Sequence, residues 1–457
     1  MQPFEKIQEY SKCVCDQIRW KKAYSVISEE IENHLIDQRD AYIADGADEI
    51  TATNNAIVQM GDPVKIGTQL DRTHRPRPQW CMILLATTLL FIGLFIRMFI
   101  IYHGNIWMMP TQLISSVIGL GFMAAAYFSD FTLIGKYPKT IYFSILALSI
   151  VALIFLPTVN GKAYYAGFMT LLFPLGFTAI LYVTRNKGYL GIILCGISVL
   201  LPACITLLIP TVSGFLLLAE SELIILSIAI TKRWFKVKKL YGYLLVFIPT
   251  AVTLLLAVVS MSAGSYRWMR LQIAINPSIN PTGAGYIGTV ARALLDGSKL
   301  FGRGDMPVEY AMSVFPMPRS SIDTDYLLTY LIFNIGWIGF IIIMGVLLFF
   351  IIKGFMLCFK QKNGLGLFVS VSVILTFTMQ VIGYVIANLG FQFTAPISLP
   401  LISYGKIATI INLSLIGIML SVFRTGDIVK DKNANIIRND NFITWSDGKL
   451  IISFGKK

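Results

Sequence analysis

Runs of about twenty apolar residues, separated by short polar connections, constrain this chain more than any other feature. Ten of them lie near 81–102, 111–128, 140–157, 164–183, 189–209, 211–230, 241–263, 326–352, 365–388 and 406–423. Each is long enough, as a helix, to cross a hydrocarbon core of roughly 30 Å. Charged residues make up only 14% of the chain and mean hydropathy is +0.68, whereas soluble domains carry about 25% charged residues. The expected fold is therefore an all-α polytopic membrane protein of about ten transmembrane helices. A net charge of +13 would suit nucleic acid, but Lys and Arg gather between the apolar runs, as the positive-inside rule requires. The basic balance reports topology, and no nucleic-acid partner is expected.

Connections carrying Lys136 and Lys139, Arg185 and Lys187, the run KRWFKVKK at 232–239, and Lys353 with Lys360 and Lys362 are expected in the cytoplasm. Residues 102–110 and the turn near Pro210 carry no Lys or Arg and are expected outside. Both termini then face inward, while a large loop at 264–325 and the 389–405 segment face outward. The first seventy-odd residues are polar and helix-patterned, so no cleavable signal peptide is expected. Of six cysteines only Cys13 and Cys15 are neighbours, and without a nearby histidine they read as reduced thiols rather than a metal site.

Residues 1–76 read as a small cytoplasmic helical domain. Ile31, Leu35, Tyr42 and Ile43 recur at helical spacing before Gly46, and a second helix runs to Met60. There MGDP supplies Gly61 as a C-terminal cap, Asp62 as the next N-cap and Pro63 at the first helical position. The pattern EEI-x-x-HL, G-A-x-E, AI-x-x-MGDP resembles the cytoplasmic prefix domain ahead of some bacterial permease-type membrane proteins. A basic, proline-bearing linker at 72–80 leads into the membrane domain, 77–424. The tail, 425–457, is polar and expected in the cytoplasm, and NFITWSDGKLIISF within it reads as a hairpin turning at Asp447 and Gly448.

A loop as long as 264–325 has no place between packed helices unless it has a function or is disordered. Disorder is disfavoured because Trp268, Leu271, Ile273, Leu294, Leu295, Leu300 and Phe301 can fold onto a membrane face. The same loop holds Arg267, Arg270, Lys299, Arg303, Arg319, Asp323 and Asp325. Asp325 directly precedes an apolar run, so its carboxylate is expected where water meets hydrocarbon. Two roles are open to it: a general base, since apolar surroundings make a carboxylate more basic, or an N-terminal cap. Glu220 and Glu222 fall halfway through the 211–230 run. Carboxylates at that depth cost several kcal/mol unless they meet a cavity or partner. They are either a candidate intramembrane polar site or the mark of a short or broken span. Arg97, close to the outer end of its run, is expected to snorkel to the interface.

The stretch from Tyr266 to Arg424 resembles the core of the SEDS family, the FtsW, RodA and SpoVE type. YRWMRLQIAINPSINPTGAGY is similar to the family's Y-R-x-x-R, N-P, D-P-x-G-x-G-Y-Q pattern, with Asn280 and Ile287 at the acid and glutamine positions. ARALLDGSKLFGRG, TDYLLTYLIFNIGWIG and ISLPLISYG (397–405) resemble three further motifs in the family's order, with Gln380 and Gly390 in step. Four further positions depart from the pattern: Asn334 replaces a glutamate, Asp323 the histidine of P-E-x-H-T-D, and Lys406 and Ile407 a glycine and a serine. Pro318 stands two residues further from Asp325 than the pattern has it, and near 160–178 only Lys162 and Pro174 answer to the family's Q-P-S-E-x-x-K.

The resemblance implies a peptidoglycan glycosyltransferase of the bacterial cytoplasmic membrane, which joins the disaccharide of lipid II to a glycan strand. It implies Asp325 as base, with Arg267, Arg270, Lys299 and Arg303, or a divalent cation, around the departing diphosphate. Ser403 and Tyr404 would contact substrate or shape a structural turn beside the cavity. No protein metal site is expected. A lipid-linked undecaprenyl substrate and a class B penicillin-binding protein are the implied partners. Two further readings stay open: a catalytically weak scaffold for such a partner, or a lipid-linked precursor transporter in which Glu220 and Glu222 matter most.

Overall fold

The computed structural model describes residues 3–102, 109–158, 163–209, 211–262, 265–307, 317, 319–426, 443–446 and 449–452. Four short helices come first: α1 (Pro3–Asp16), α2 (Tyr24–Ala44), α3 (Glu49–Met60) and α4 (Pro63–His74). Their ends are set locally. Asp48 accepts from the Thr51 amide at 3.1 Å and Asp62 from the Val64 amide at 3.0 Å, each taking up an amide that a helix start leaves without a partner. Ile7, Val14, Ile27, Ile31 and Leu35 form the core of these helices. Tyr42 packs partly against it, whereas Ile43, expected on the same face, is exposed.

Among the described residues ten helices are long and apolar enough to cross a membrane. The first three are α5 (Trp80–Tyr102), α6 (Met109–Phe128) and, after the short α7 (Thr132–Lys136), α8 (Pro138–Phe155). The fourth runs from α9 (Tyr164–Gly167) through a 3₁₀ turn into α10 (Phe173–Val183). Next come α11 (Gly188–Leu208), α12 (Val212–Thr231) and α13 (Lys239–Ser262). The polar loop then folds into α14 (Ser265–Ile275), α15 (Tyr286–Asp296) and α16 (Arg319–Thr324). After α17 (Leu327–Ile335) the last three spans are α18 (Trp337–Lys360), α19 (Gly364–Asn388) and α20 (Lys406–Thr425). Beyond them β1 (Ile443–Ser446) pairs antiparallel with β2 (Lys449–Ile452), and the expected turn residues between them lie outside the described residues.

By contacts the chain divides into residues 1–77 with 425–457, and 78–424. Within the second unit burial separates the spans. The α19 window is 83% buried, the α9–α10 window 78% and the α20 window 72%, against 11% for α13. The first three form the interior, and α13 offers nearly all its surface to the surroundings. Polar pairs pin the interior helices, as where the Gln380 and Asn412 carboxamides exchange hydrogen bonds of 3.2 and 3.3 Å between α19 and α20.

The 326–352 run is not one helix. It breaks at Gly336, which has φ of 101° and sits so close to Leu300 that a Cβ would collide with that residue's carbonyl. The span expected to begin beside Asp325 thus begins at Trp337, and Asp325 instead leads into the nine-residue, almost wholly buried α17. The break is supported from the 299–304 segment. Gly302 and Gly304 donate to the Ile335 and Phe333 carbonyls that end α17, while Trp337 and Ile338 at the start of α18 donate to Lys299 and Leu300. Backbone groups freed on both sides of the joint are therefore satisfied within the protein.

Candidate active site

Asp325 lies at the joint between α16 and α17, and its role turns on how α17 is capped. The N-cap residue of α17 is Tyr326, whose side chain makes no capping hydrogen bond. The helix's opening amides are taken up by α19 instead. Leu327 donates to the Tyr384 hydroxyl at 3.1 Å and Thr329 to the Asn388 carboxamide oxygen at 3.0 Å. The same two side chains grip the preceding main chain, with Tyr384 donating to the Thr324 carbonyl at 2.7 Å and Asn388 to that of Asp325 at 2.9 Å. Capping is thus done by a neighbouring span, and the half-buried Asp325 carboxylate acts on the phenols of Tyr164, Tyr326 and Tyr384. Burial pushes the Tyr326 phenol up to about 12, Asp325 adding to the shift and a hydrogen bond with Gln392 opposing it. Tyr326 is accordingly a neutral hydrogen-bonding wall at physiological pH.

Arg97 does not snorkel. It is 2% exposed and forms an ion pair with Asp323, itself 2% exposed, with Nη1 3.3 Å from Oδ2. Asp323 is therefore engaged by a cation rather than set against Asp325 as a like charge. Burial raises its carboxyl above the usual aspartate value, and Arg97 opposes that shift. Tyr404 joins them, with the guanidinium 4.5 Å from its ring centroid and its amide donating to the Asp323 carbonyl at 3.0 Å. The Ser403 hydroxyl closes its own turn, accepting from the Leu399 amide at 2.9 Å and donating to the Leu399 carbonyl at 3.3 Å. Ser403 thus shapes the turn, and of the two expected contacts only Tyr404 reaches the site.

The loop cations are spread over α14 and the 299–304 segment. Lys299 pairs with Asp305 at 2.8 Å beside the far end of α17, about 13 Å from its start at 1.5 Å per residue. Arg267 and Arg270 are exposed on α14, the latter 5.6 Å from the Tyr266 ring. Arg303 lies near enough to α17 to favour ionisation of the Tyr330 phenol, which Asp323 opposes. Among the described residues no three His, Cys, Asp or Glu side chains gather as a metal site would need. Lys162 lies outside the described residues, and Pro174 is buried in α10. Arg319 belongs to α16.

Glu220 and Glu222 do not form a joint site. Two residues apart on α12, they face opposite ways: Glu220 is exposed, whereas Glu222 is 4% exposed beside Tyr142 and Cys195. Tyr164, Tyr384 and Asn388 escaped sequence reasoning, and Arg97 was placed at the interface rather than in the active region. A charge inside an apolar run signals an intramembrane partner, and that signal was present for Arg97. Tyr164, Tyr384 and Asn388 sit near span ends, where polar residues are ordinary and carry no such mark.

A family model described as cell cycle protein, covering FtsW, RodA and SpoVE, matches residues 79–427. The chain is 23% identical over 343 residues to "Probable peptidoglycan glycosyltransferase FtsW" of Trichlorobacter lovleyi, covering 70% of this chain and 84% of that one. It is 24% identical over 161 residues to peptidoglycan glycosyltransferase MrdB of Escherichia coli K12, covering 34% and 42% of the two chains. The fold resembles a chain from a structure of a peptidoglycan synthase complex, with a TM-score of 0.58, 18% identity and coverage of 78% of this chain and 99% of that one. It also resembles the crystal structure of the rod shape determining protein RodA of Thermus thermophilus, with a TM-score of 0.51, 15% identity and coverage of 78% and 98%.

Proposed function

Since the chain belongs to the FtsW, RodA and SpoVE family of cell cycle proteins, we propose that it is a membrane-embedded peptidoglycan glycosyltransferase with Asp325 as general base. The observation that carries this reading is the capping of α17 by Tyr384 and Asn388. It leaves the Asp325 carboxylate a role other than ending a helix, at a joint held by main-chain contacts. In the reaction, the acceptor sugar's hydroxyl oxygen forms a bond to the anomeric carbon of the lipid-linked donor. Its proton passes to Asp325, and the bond from that carbon to the diphosphate breaks with its electron pair leaving on the diphosphate. With one base and the neighbouring Asp323 paired to Arg97, a single displacement with inversion follows. Charge on the departing diphosphate is met by Arg303, and Arg267 and Arg270 on α14 draw the anionic substrate toward the membrane face. A divalent cation would be held here by the substrate's own diphosphate oxygens together with at most one or two carboxylates.

In this reading residues 1–76 are a cytoplasmic helical domain and 425–457 a cytoplasmic tail. Residues 77–424 carry the activity, with the 264–325 loop on the outer face, where lipid II is presented. A class B penicillin-binding protein is the proposed partner, supported by the likeness to a chain of a peptidoglycan synthase complex. The test follows glycan polymer formed from purified lipid II, partner present, by the unmodified chain, Asp325→Asn and Glu220→Gln. Loss with the first variant and retention with the second is expected. No polymer from the unmodified chain would favour the scaffold reading, and loss with Glu220→Gln but not with Asp325→Asn would overturn Asp325 as the base.

A further inference from the structure

We infer that Arg97 is a positioning residue for the Asp325 carboxylate, acting through Asp323 and the 397–405 turn. The inference rests on the reading of Asp325 as the base. Its starting point is a row of three consecutive carbonyls. That of Asp323 accepts from the Tyr404 amide at 3.0 Å and from Arg97 Nη2 at 3.4 Å. That of Thr324 accepts from the Tyr384 hydroxyl at 2.7 Å, and that of Asp325 from the Asn388 carboxamide at 2.9 Å. One side of the row is held from α19, the other from α5 and the turn. On that second side the Arg97 side chain holds main chain and carboxylate together, since its Nη1 also lies 3.3 Å from Asp323 Oδ2. The Tyr404 ring lies against the guanidinium, with its hydroxyl 3.1 Å from that of Thr111 at the start of α6.

The two charges are intelligible only together. Either one alone would be an uncompensated ion in a low-dielectric interior, so Asp323, where this chain departs from the family's histidine, calls for a cation, and Arg97 supplies it. Without this grip the α16 side of the joint can shift while α19 still holds the other, swinging the Asp325 side chain. A displacement near 1 Å at a reacting group costs on the order of 10²-fold in rate. Substrate affinity, carried by other residues, is left alone.

The test measures kcat and KM for polymerisation of lipid II by the full chain with its partner, and thermal unfolding of each variant. Arg97→Met/Asp323→Asn removes both charges and keeps side-chain volume. The expected result is a folded protein with kcat down roughly 10²-fold and KM little changed. Arg97→Lys retains the charge without the two-pronged grip and should recover part of that loss. A double variant with wild-type kcat overturns the inference, as does a fall confined to KM. Should the double variant fail to fold, Arg97→Lys decides: a reduced kcat at unchanged KM supports the inference and an unaltered kcat overturns it. Asp325→Asn run in parallel separates the two proposals. If it is inactive while the double variant is fully active, only the positioning role falls; if it is fully active, the base assignment falls and the positioning role with it.

Discussion

Glu222 sits halfway along α12 with neither carboxyl oxygen hydrogen-bonded among the described residues. Burial without partners costs stability, and replacing such a group by an apolar one of similar size relieves that cost. Glu222→Met should therefore stabilise the folded protein by about 1–3 kcal/mol, measured by thermal unfolding in lipid nanodiscs. Destabilisation would mean that the carboxyl has a partner in the working protein. At this scale Asp325 was legible because its TDY context and the apolar run behind it both pointed to the membrane boundary. Arg97 was misread because sequence gives a charge's distance from the end of its run but not the direction it faces, and a partner in residues 319–326 has no local trace. The Glu220 and Glu222 pair looked like one site for a similar reason, although a helix turns successive alternate residues to opposite sides.

The α17–α18 joint depends on a backbone conformation that only glycine adopts without strain. Gly336→Ala should cost about 2 kcal/mol or more, since the methyl group would also meet the Leu300 carbonyl. Thermal unfolding checks it, and a variant as stable as the unmodified chain would contradict the account. Hydropathy could not foresee this break, because one glycine scarcely lowers the average of a long apolar run, and the groups that satisfy the broken backbone come from 299–304. Helix α3 offers a pH-dependent case. Hydrogen bonds from the Thr51 hydroxyl and amide hold the Asp48 carboxyl below its ordinary value of 3.8. A depressed folded value means the cap's contribution is present above that ordinary value and is lost as pH falls through the lower folded one. The Thr51 amide resonance should titrate with a midpoint below 3.8, and a midpoint at or above it would contradict the capping geometry. The Gly61–Asp62–Pro63 boundary was readable in advance because caps act within a few residues.

At the scale of the whole molecule, the ten spans were visible because length and apolar content are local properties. Their ranking was not. That α9–α10, α19 and α20 form the interior while α13 lies at the edge depends on which faces meet, and all four read alike as apolar runs. Of the interior spans α19 holds the α16–α17 joint directly, through Tyr384 and Asn388. The most direct test is the rate of lipid II consumption by Asp325→Asn with the partner present, set beside that variant's affinity for lipid II. Loss of a general base predicts a fall of about 10²- to 10⁴-fold in turnover with affinity nearly unchanged; turnover within a few-fold of the unmodified chain would contradict it.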